Sequence, residues 1–320
     1  MLETKIIYKL FRVTLFAAVF WGLPGQTCLF AMGMDFFNSS AAVVECTPEE
    51  NPVIMPGVFG SPLRLQTSSN EGFLIADYKK RAVYSAAYGD SANPAIFFEV
   101  SGKPLSLVTV PSGRRTVYLV GNDATKTIDV YIERKNRVNL RKRWFRKTPV
   151  QAQDMAIDET SGKIFIVDGL ASHIKVIKTD GRLVTTFGNF GQLVNPKAIA
   201  LDSVNQEIVV SDYGDSGLGI SASIQVFDFD GRHLRTITGA FSRPQGVAVA
   251  GNMIYVADAV LGQILSFDRS SGSPGESYGC FGSSAGHLLL PMDILIGPAK
   301  NNLYVADNRN GRITVLPLAP

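Results

Sequence analysis

Chemistry in this chain has to come from a small set of side chains. It holds three histidines, His173, His233 and His287, and three cysteines, Cys28, Cys46 and Cys280. The histidines fall in a loop, a turn and a connection of different repeats, which does not make a joint metal site. No C-x-x-C pair occurs, so a zinc ribbon and a haem attachment site are excluded, and three cysteines are too few for a disulfide-dense scaffold. More telling are charges placed inside otherwise apolar strands. Arg64, Asp154 and Asp293 each stand one residue before a large apolar side chain (Leu65, Met155 and Ile294), where related segments carry Ser106, Ala198 and Gly246. Two carboxylates beside a guanidinium can hold a polar ligand, or they can neutralise one another in a water-filled channel. With Ser106 and the adjoining Lys197 and Gln245 they form the candidate ligand-binding set. A second candidate is the basic run Arg134, Lys135, Arg137, Arg141, Lys142, Arg143, Arg146 and Lys147, interleaved with Trp144 and Phe145. Charge at that density fits an anionic surface, with Arg141, Lys142, Arg143, Arg146 and Lys147 as its centre. It fits equally a solvated strand edge kept from self-pairing by lysine and arginine.

These residues are positioned by a repeat of about 45 residues. One line recurs six times, ending at Asp77, Asn122, Asp168, Asp212, Asp258 and Asp307; Ile164-Phe165-Ile166-Val167-Asp168 and Ile254-Tyr255-Val256-Ala257-Asp258 are typical. β-Branched and aromatic runs that stop at a turn former are strands. They are apolar on both faces, as a sheet pressed between two others requires. A short strand precedes each line, often opened by proline, as in Pro62-Leu63-Arg64-Leu65 and Pro196-Lys197-Ala198-Ile199. An alternating strand follows, then Asp180-Gly181 or Asp230-Gly231, a dipeptide that favours a tight hairpin. Four antiparallel strands repeated six times predict an all-β six-bladed β-propeller, because each small sheet can bury its faces only against the next. The terminal acids of the repeated line read as turn caps rather than as a metal ring.

The sixth copy is one strand short. A segment before Pro62, either Val43–Cys46 or Val53–Val58, is expected to supply it and close the ring, removing an exposed edge. Cys46 would then lie on the outer strand of blade six and Cys280 on that of blade five. The two could form a disulfide or remain free thiols. Lys5, Lys9 and Arg12 before the apolar run from Val13 to Leu23 read as a secretory signal peptide over residues 1–33, cleaved somewhere between 25 and 42, with the propeller over 34–320. The protein is therefore expected to be exported, to the periplasm or the extracellular space. The formal charge of the whole chain is only +3, and Lys5, Lys9 and Arg12 against Glu3 account for most of it. A nearly neutral body argues against a dedicated nucleic-acid binder.

The repeated proline, the aromatic-Val-Ala-Asp line, the isoleucine strand and the Asp-Gly turn resemble the NHL repeat, over roughly residues 60–320. Blades three to six carry the resemblance; blade two replaces the aspartate with Asn122, and blade one lacks the Asp-Gly turn. The resemblance implies a rigid monomeric platform that binds a protein or a small polar ligand without catalysis and without a cofactor. The rival expectation is a metal-dependent hydrolase or lyase working in the channel, similar to gluconolactonase or amidating-lyase propellers. Arg64 opposes a divalent ion there, and calcium's six to eight oxygens are not evident. The glycine-rich segment 213–219 could cover the channel mouth.

Overall fold

The computed structural model describes residues 53–55, 58–68, 71–89, 94–113, 115–189 and 191–318. Six four-stranded antiparallel sheets follow one another, each in the order inner to outer strand. Their inner strands are Pro62–Thr67, Pro104–Ser112, Ala152–Asp158, Pro196–Asp202, Pro244–Ala250 and Pro291–Ile296, in blades one to six. Neighbouring inner strands pack on one another around the ring, blade six against blade one included. The repeated lines are the second strands. Gly72–Asp77 and Glu207–Asp212 are buried along their whole length, because both of their faces meet a neighbouring blade.

Each blade interface holds its own apolar cluster. Between blades three and four, Phe165, Ile208, Val210 and Phe227 are fully buried; between blades six and one, Phe73, Ile75, Tyr304 and Ile313 fill the same place. Full burial of one such side chain stabilises by about 1.5–3 kcal/mol, so the ring is held chiefly by these wedges.

Closure follows the second of the two expected routes. Val53–Met55 pairs antiparallel with Arg312–Pro317, Met55 opposite Ile313, and so becomes the outer strand of blade six. Val43–Cys46 lies outside the described residues, as does the expected signal peptide. Cys280 is not on the outer strand of blade five, which is Pro274–Tyr278. It lies just beyond, in Cys280–Phe281, a two-residue strand parallel to His287–Leu288 in the connection to blade six. Cys280 is disulfide-bonded; a pairing with Cys46 falls outside the described residues.

The acids of the repeated line do more than cap their own turns. Asp258 accepts from Val260 and Leu261 N–H in its turn, and from Ser242 and Arg243 N–H in the incoming connection from blade four. Asp77 and Asp212 repeat the arrangement. One carboxylate thus ties a strand turn to the link from the previous blade. In blade two, Asn122 donates to the buried Asp129, which also takes Ser101, Thr127 and Arg143; the charge has moved one strand outward.

The Asp-Gly dipeptides stand at tight hairpins, as expected. Gly181 N–H donates to Lys178 C=O while Lys178 N–H donates to Arg182 C=O, a three-residue loop with only the glycine at positive φ, 92°. A type I turn followed by a left-handed glycine gives that geometry. The close approach of the Trp144 ring, 2.5 Å from where a Cβ of Gly181 would stand, also demands glycine.

Candidate functional site

The innermost strand of a blade has no inner neighbour, so alternate N–H and C=O groups along its axial edge lack a ladder partner. Buried main-chain groups must be satisfied. A register shift interrupts all six inner strands at one place, just after the opening residue: between Pro62 and Arg64, Ala152 and Asp154, Pro196 and Ala198, and equivalently elsewhere. Such a bulge re-aims the local peptide groups, and here it directs carbonyls toward the axis. Arg64 fills the resulting collar. Its Nε and Nη2 donate to Gln153 C=O at 3.1 and 3.0 Å, Nη2 also to Lys197 C=O at 2.8 Å, and Nη1 to Met292 C=O at 2.9 Å. One guanidinium from blade one therefore bridges blades three, four and six. It is 3% exposed.

Asp154 and Asp293 flank it at ion-pair distance, 3.5 and 3.7 Å. Their hydrogen bonds go to main chain, chiefly that of the following blade. Asp293 accepts Leu65 N–H at 2.8 Å, and Asp154 accepts Ile199 N–H at 3.0 Å and its neighbour Met155 N–H at 2.9 Å. Burial pushes the Asp293 carboxyl up to about 7; Arg64 pulls it down and the Asp154 charge pushes it further up. Burial raises Asp154 as well, against the opposing pull of Arg64 and the two amides. Two buried carboxyls share one fixed cation, and burial together with their mutual repulsion favours a proton on the pair.

The remaining members of the set are not brought together with this cluster. Ser106 is fully buried, and its Oγ donates to Ala152 C=O at 2.7 Å. It joins blade two to blade three, its short side chain ending on the next blade. Gly246 is small for a physical reason, since a Cβ there would stand 2.6 Å from Asp293 Cα. Lys197 and Gln245 are on the opposite side of the collar. Lys197 Nζ donates to Asn195 Oδ1 at 2.6 Å and lies 5.8 Å from the Tyr213 ring centre, with the Arg243 guanidinium 5.3 Å from the same ring. Burial, the Arg243 charge and Arg64 lower the Lys197 pKa, with Asp212 opposing them. Gln245 is buried, and its C=O accepts Ser211 Oγ. The glycine-rich segment is an ordered turn: Asp215 caps Ser216–Leu218 and Gly219 closes it at positive φ.

Below the collar the expected channel is a defined cavity. A cavity of about 600 Å³ runs along the axis from Asp154 and Asp293 to a mouth formed by Thr67, Asp158, Glu159 and Ser203. That volume is within the usual range for small-molecule sites. Much of its wall is main-chain edge, which carries no residue-type signal; the only trace in the sequence is the charge of Asp154 and Asp293 in apolar strands.

The three histidines have different partners. His173 contacts Lys175, His233 contacts Gln225 and His287 contacts Ala285 C=O. No group of three or more metal-binding side chains of the His, Cys, Asp or Glu type exists among the described residues. In the basic run, Arg143 is bound to the buried Asp129 and to Ser101. Arg134, Lys135, Arg137, Arg141, Lys142, Arg146 and Lys147 are exposed, most of them on the outer strand Arg137–Trp144 and its hairpin. Lys142 covers the Trp144 ring at 5.0 Å.

Strand order, ring closure and the axial cluster define a six-bladed β-propeller. Among solved structures the chain is similar to a Thermus thermophilus protein assigned as a candidate oxidoreductase (glucose dehydrogenase). The match has 15% identity and a TM-score of 0.60, and covers 84% of this chain and 99% of that one. It is similar to a Bacteroides thetaiotaomicron protein of unknown function at 14% identity and a TM-score of 0.61, over 84% of this chain and 73% of that one. A chain of the nidogen/laminin complex matches at 12% identity and a TM-score of 0.52, over 68% of this chain and 80% of that one. Identities this low speak for the fold alone. No protein-family model matches the chain.

Proposed function

We propose that this propeller is an exported, NHL-type binding protein that holds a ligand in its axial cavity without chemically changing it. The observation that carries the reading is the engagement of Arg64. A cation acting on a substrate needs free coordination positions, whereas this one has its donors committed to three blades. The axial charges thus act as a plug that gives the cavity a polar, rigid inner end, and preorganisation of that kind favours binding. The basic start and apolar run at the N-terminus support export, and a disulfide-bonded Cys280 agrees with an oxidising compartment. The exposed basic edge of blade two supports attachment to an anionic layer.

One observation favours a second reading. A carboxyl with its pKa near 7 facing a cavity suits a general acid or base, so Asp293 could serve a hydrolase or lyase. Incubation of a retained ligand with the full chain separates the two. The binding reading expects the ligand to be recovered unaltered after many hours. Product that accumulates in proportion to protein, and is lost in Asp293→Asn, would establish the second reading instead.

A further inference from the structure

The axial cavity is acidic at both ends. Asp154 and Asp293 mark its inner end, Asp158 and Glu159 its mouth, and among the described residues no Lys, Arg or His belongs to its lining. Between the ends run the inner edges of the strands, whose side chains Leu65, Met155, Ile199 and Val247 join the clusters between blades. Main-chain oxygens, the carboxylates of Asp154, Asp293 and Glu159, Gln66 and the hydroxyls of Thr67, Thr160 and Ser203 are the polar groups this leaves for a guest; the Asp158 carboxylate already accepts Thr160 N–H, Ser161 N–H and Ser161 Oγ.

The inner end is one positive charge short. Arg64 gives its hydrogen bonds to carbonyls and faces two carboxyls across 3.5 and 3.7 Å. The charged groups facing Asp293 are Arg64 from blade one and Asp154 from blade three, with Lys197 of blade four beyond the collar. Anything that brings a second cation to the cavity side of the pair replaces the shared proton. From Asp154 to Asp158, four residues of extended strand span roughly 13 Å, the reach of a chain with a charge at each end. A carboxylate guest would meet acids at both ends. A neutral polyol would leave the inner pair as it is, and a divalent ion would lack the third His, Cys, Asp or Glu side chain, since no group of three exists among the described residues.

We infer that the cavity binds a linear aliphatic di- or polyamine, one ammonium against Asp154 and Asp293 and another at the mouth beside Glu159. The inference rests on the reading of the cavity as a binding site and names its ligand class.

Titration calorimetry of the full chain with spermidine at pH 7 and physiological salt tests it, run in two buffers of different ionisation enthalpy. Hexanoate and a neutral disaccharide serve as comparison ligands. Saturable spermidine binding that releases a fraction of a proton is expected, weakening several-fold from pH 7.5 to 5.5 as the inner carboxyls hold their proton more fully. Glu159→Lys and Ser203→Arg, exposed substitutions at the mouth, should each weaken it about tenfold with the melting temperature unchanged. Asp293→Asn, which keeps an acceptor for Leu65 N–H, should abolish the proton release. Spermidine binding that ignores both mouth substitutions would be surface attraction and would overturn the inference. Binding of hexanoate or the disaccharide, lost on Ser203→Arg, with no heat from spermidine would overturn the amine class and leave the binding reading standing. Absence of binding by all three would count against both.

Discussion

Replacing Arg64 by methionine keeps much of the length of the side chain and removes its charge and donors. Three collar carbonyls then lose their partner, and Asp154 and Asp293 lose the cation at ion-pair distance. Removing one member of a buried ion pair typically destabilises by about 3–5 kcal/mol. The adjoining cavity admits water to the orphaned carbonyls, which favours the lower half of that range. In a domain of this size each kcal/mol shifts the melting temperature by roughly 2–4 °C, so a fall of roughly 6–15 °C at pH 7.5 is expected by calorimetry or circular dichroism. The pH dependence gives the sharper test. Without Arg64 the two carboxyls rise further, and the folded state gains more from protonation than the unfolded one. The deficit of the variant should therefore shrink as the pH falls from 7.5 to 5. A variant that matches the wild type at both pH values, or one whose deficit grows on acidification, would refute the reasoning.

Other consequences follow from the same structure. In the wild type the folded-state pKa of Asp293 lies above its unfolded value, so the native state binds the proton more tightly and stability should decline as pH rises from about 4 through 7. Asp123, Asp158 and Glu207 are held below their usual range by hydrogen bonds and partner cations and lose their contribution below about pH 4. Together they place the stability maximum between these two limbs, on the acid side of neutrality, and Asp293→Asn should flatten the decline above it in urea titrations. Gly246→Ala drives a methyl group toward main chain of blade six and should cost about 1–3 kcal/mol, readable as a shift in denaturation midpoint. Charge reversal at Arg141, Lys142 and Arg146 should abolish salt-sensitive binding to anionic vesicles without altering stability. Reversal at Arg143 should destabilise as well, since it faces Asp129.

The sequence made the ring legible because its second strands are apolar on both faces and recur with one acid at the end. Arg64, Asp154 and Asp293 were visible for a related reason, since charge in a buried strand must find a partner. What could not be read was the identity of those partners. The groups that receive Arg64 are main-chain carbonyls exposed by a bulge, and a bulge of one residue leaves no mark in residue types. Ser106 illustrates the resulting error: counting positions assigned it to the axis, whereas its short side chain ends on Ala152 C=O. The second task of the repeated acids, gripping the connection from the previous blade, was hidden because its donors are amides some sixteen residues away. The Asp-Gly hairpins were legible as tight turns, but their loop length was not, because a left-handed glycine serves two- and three-residue loops alike.

The claim that everything turns on is that a guanidinium permanently occupies the carbonyl collar. Crystals soaked in a manganese salt and measured for anomalous scattering address it directly. No ordered ion at the collar is expected, with the Arg64 side chain in density against Gln153, Lys197 and Met292 carbonyls. A manganese peak at that point, with Arg64 displaced from it, would contradict the account.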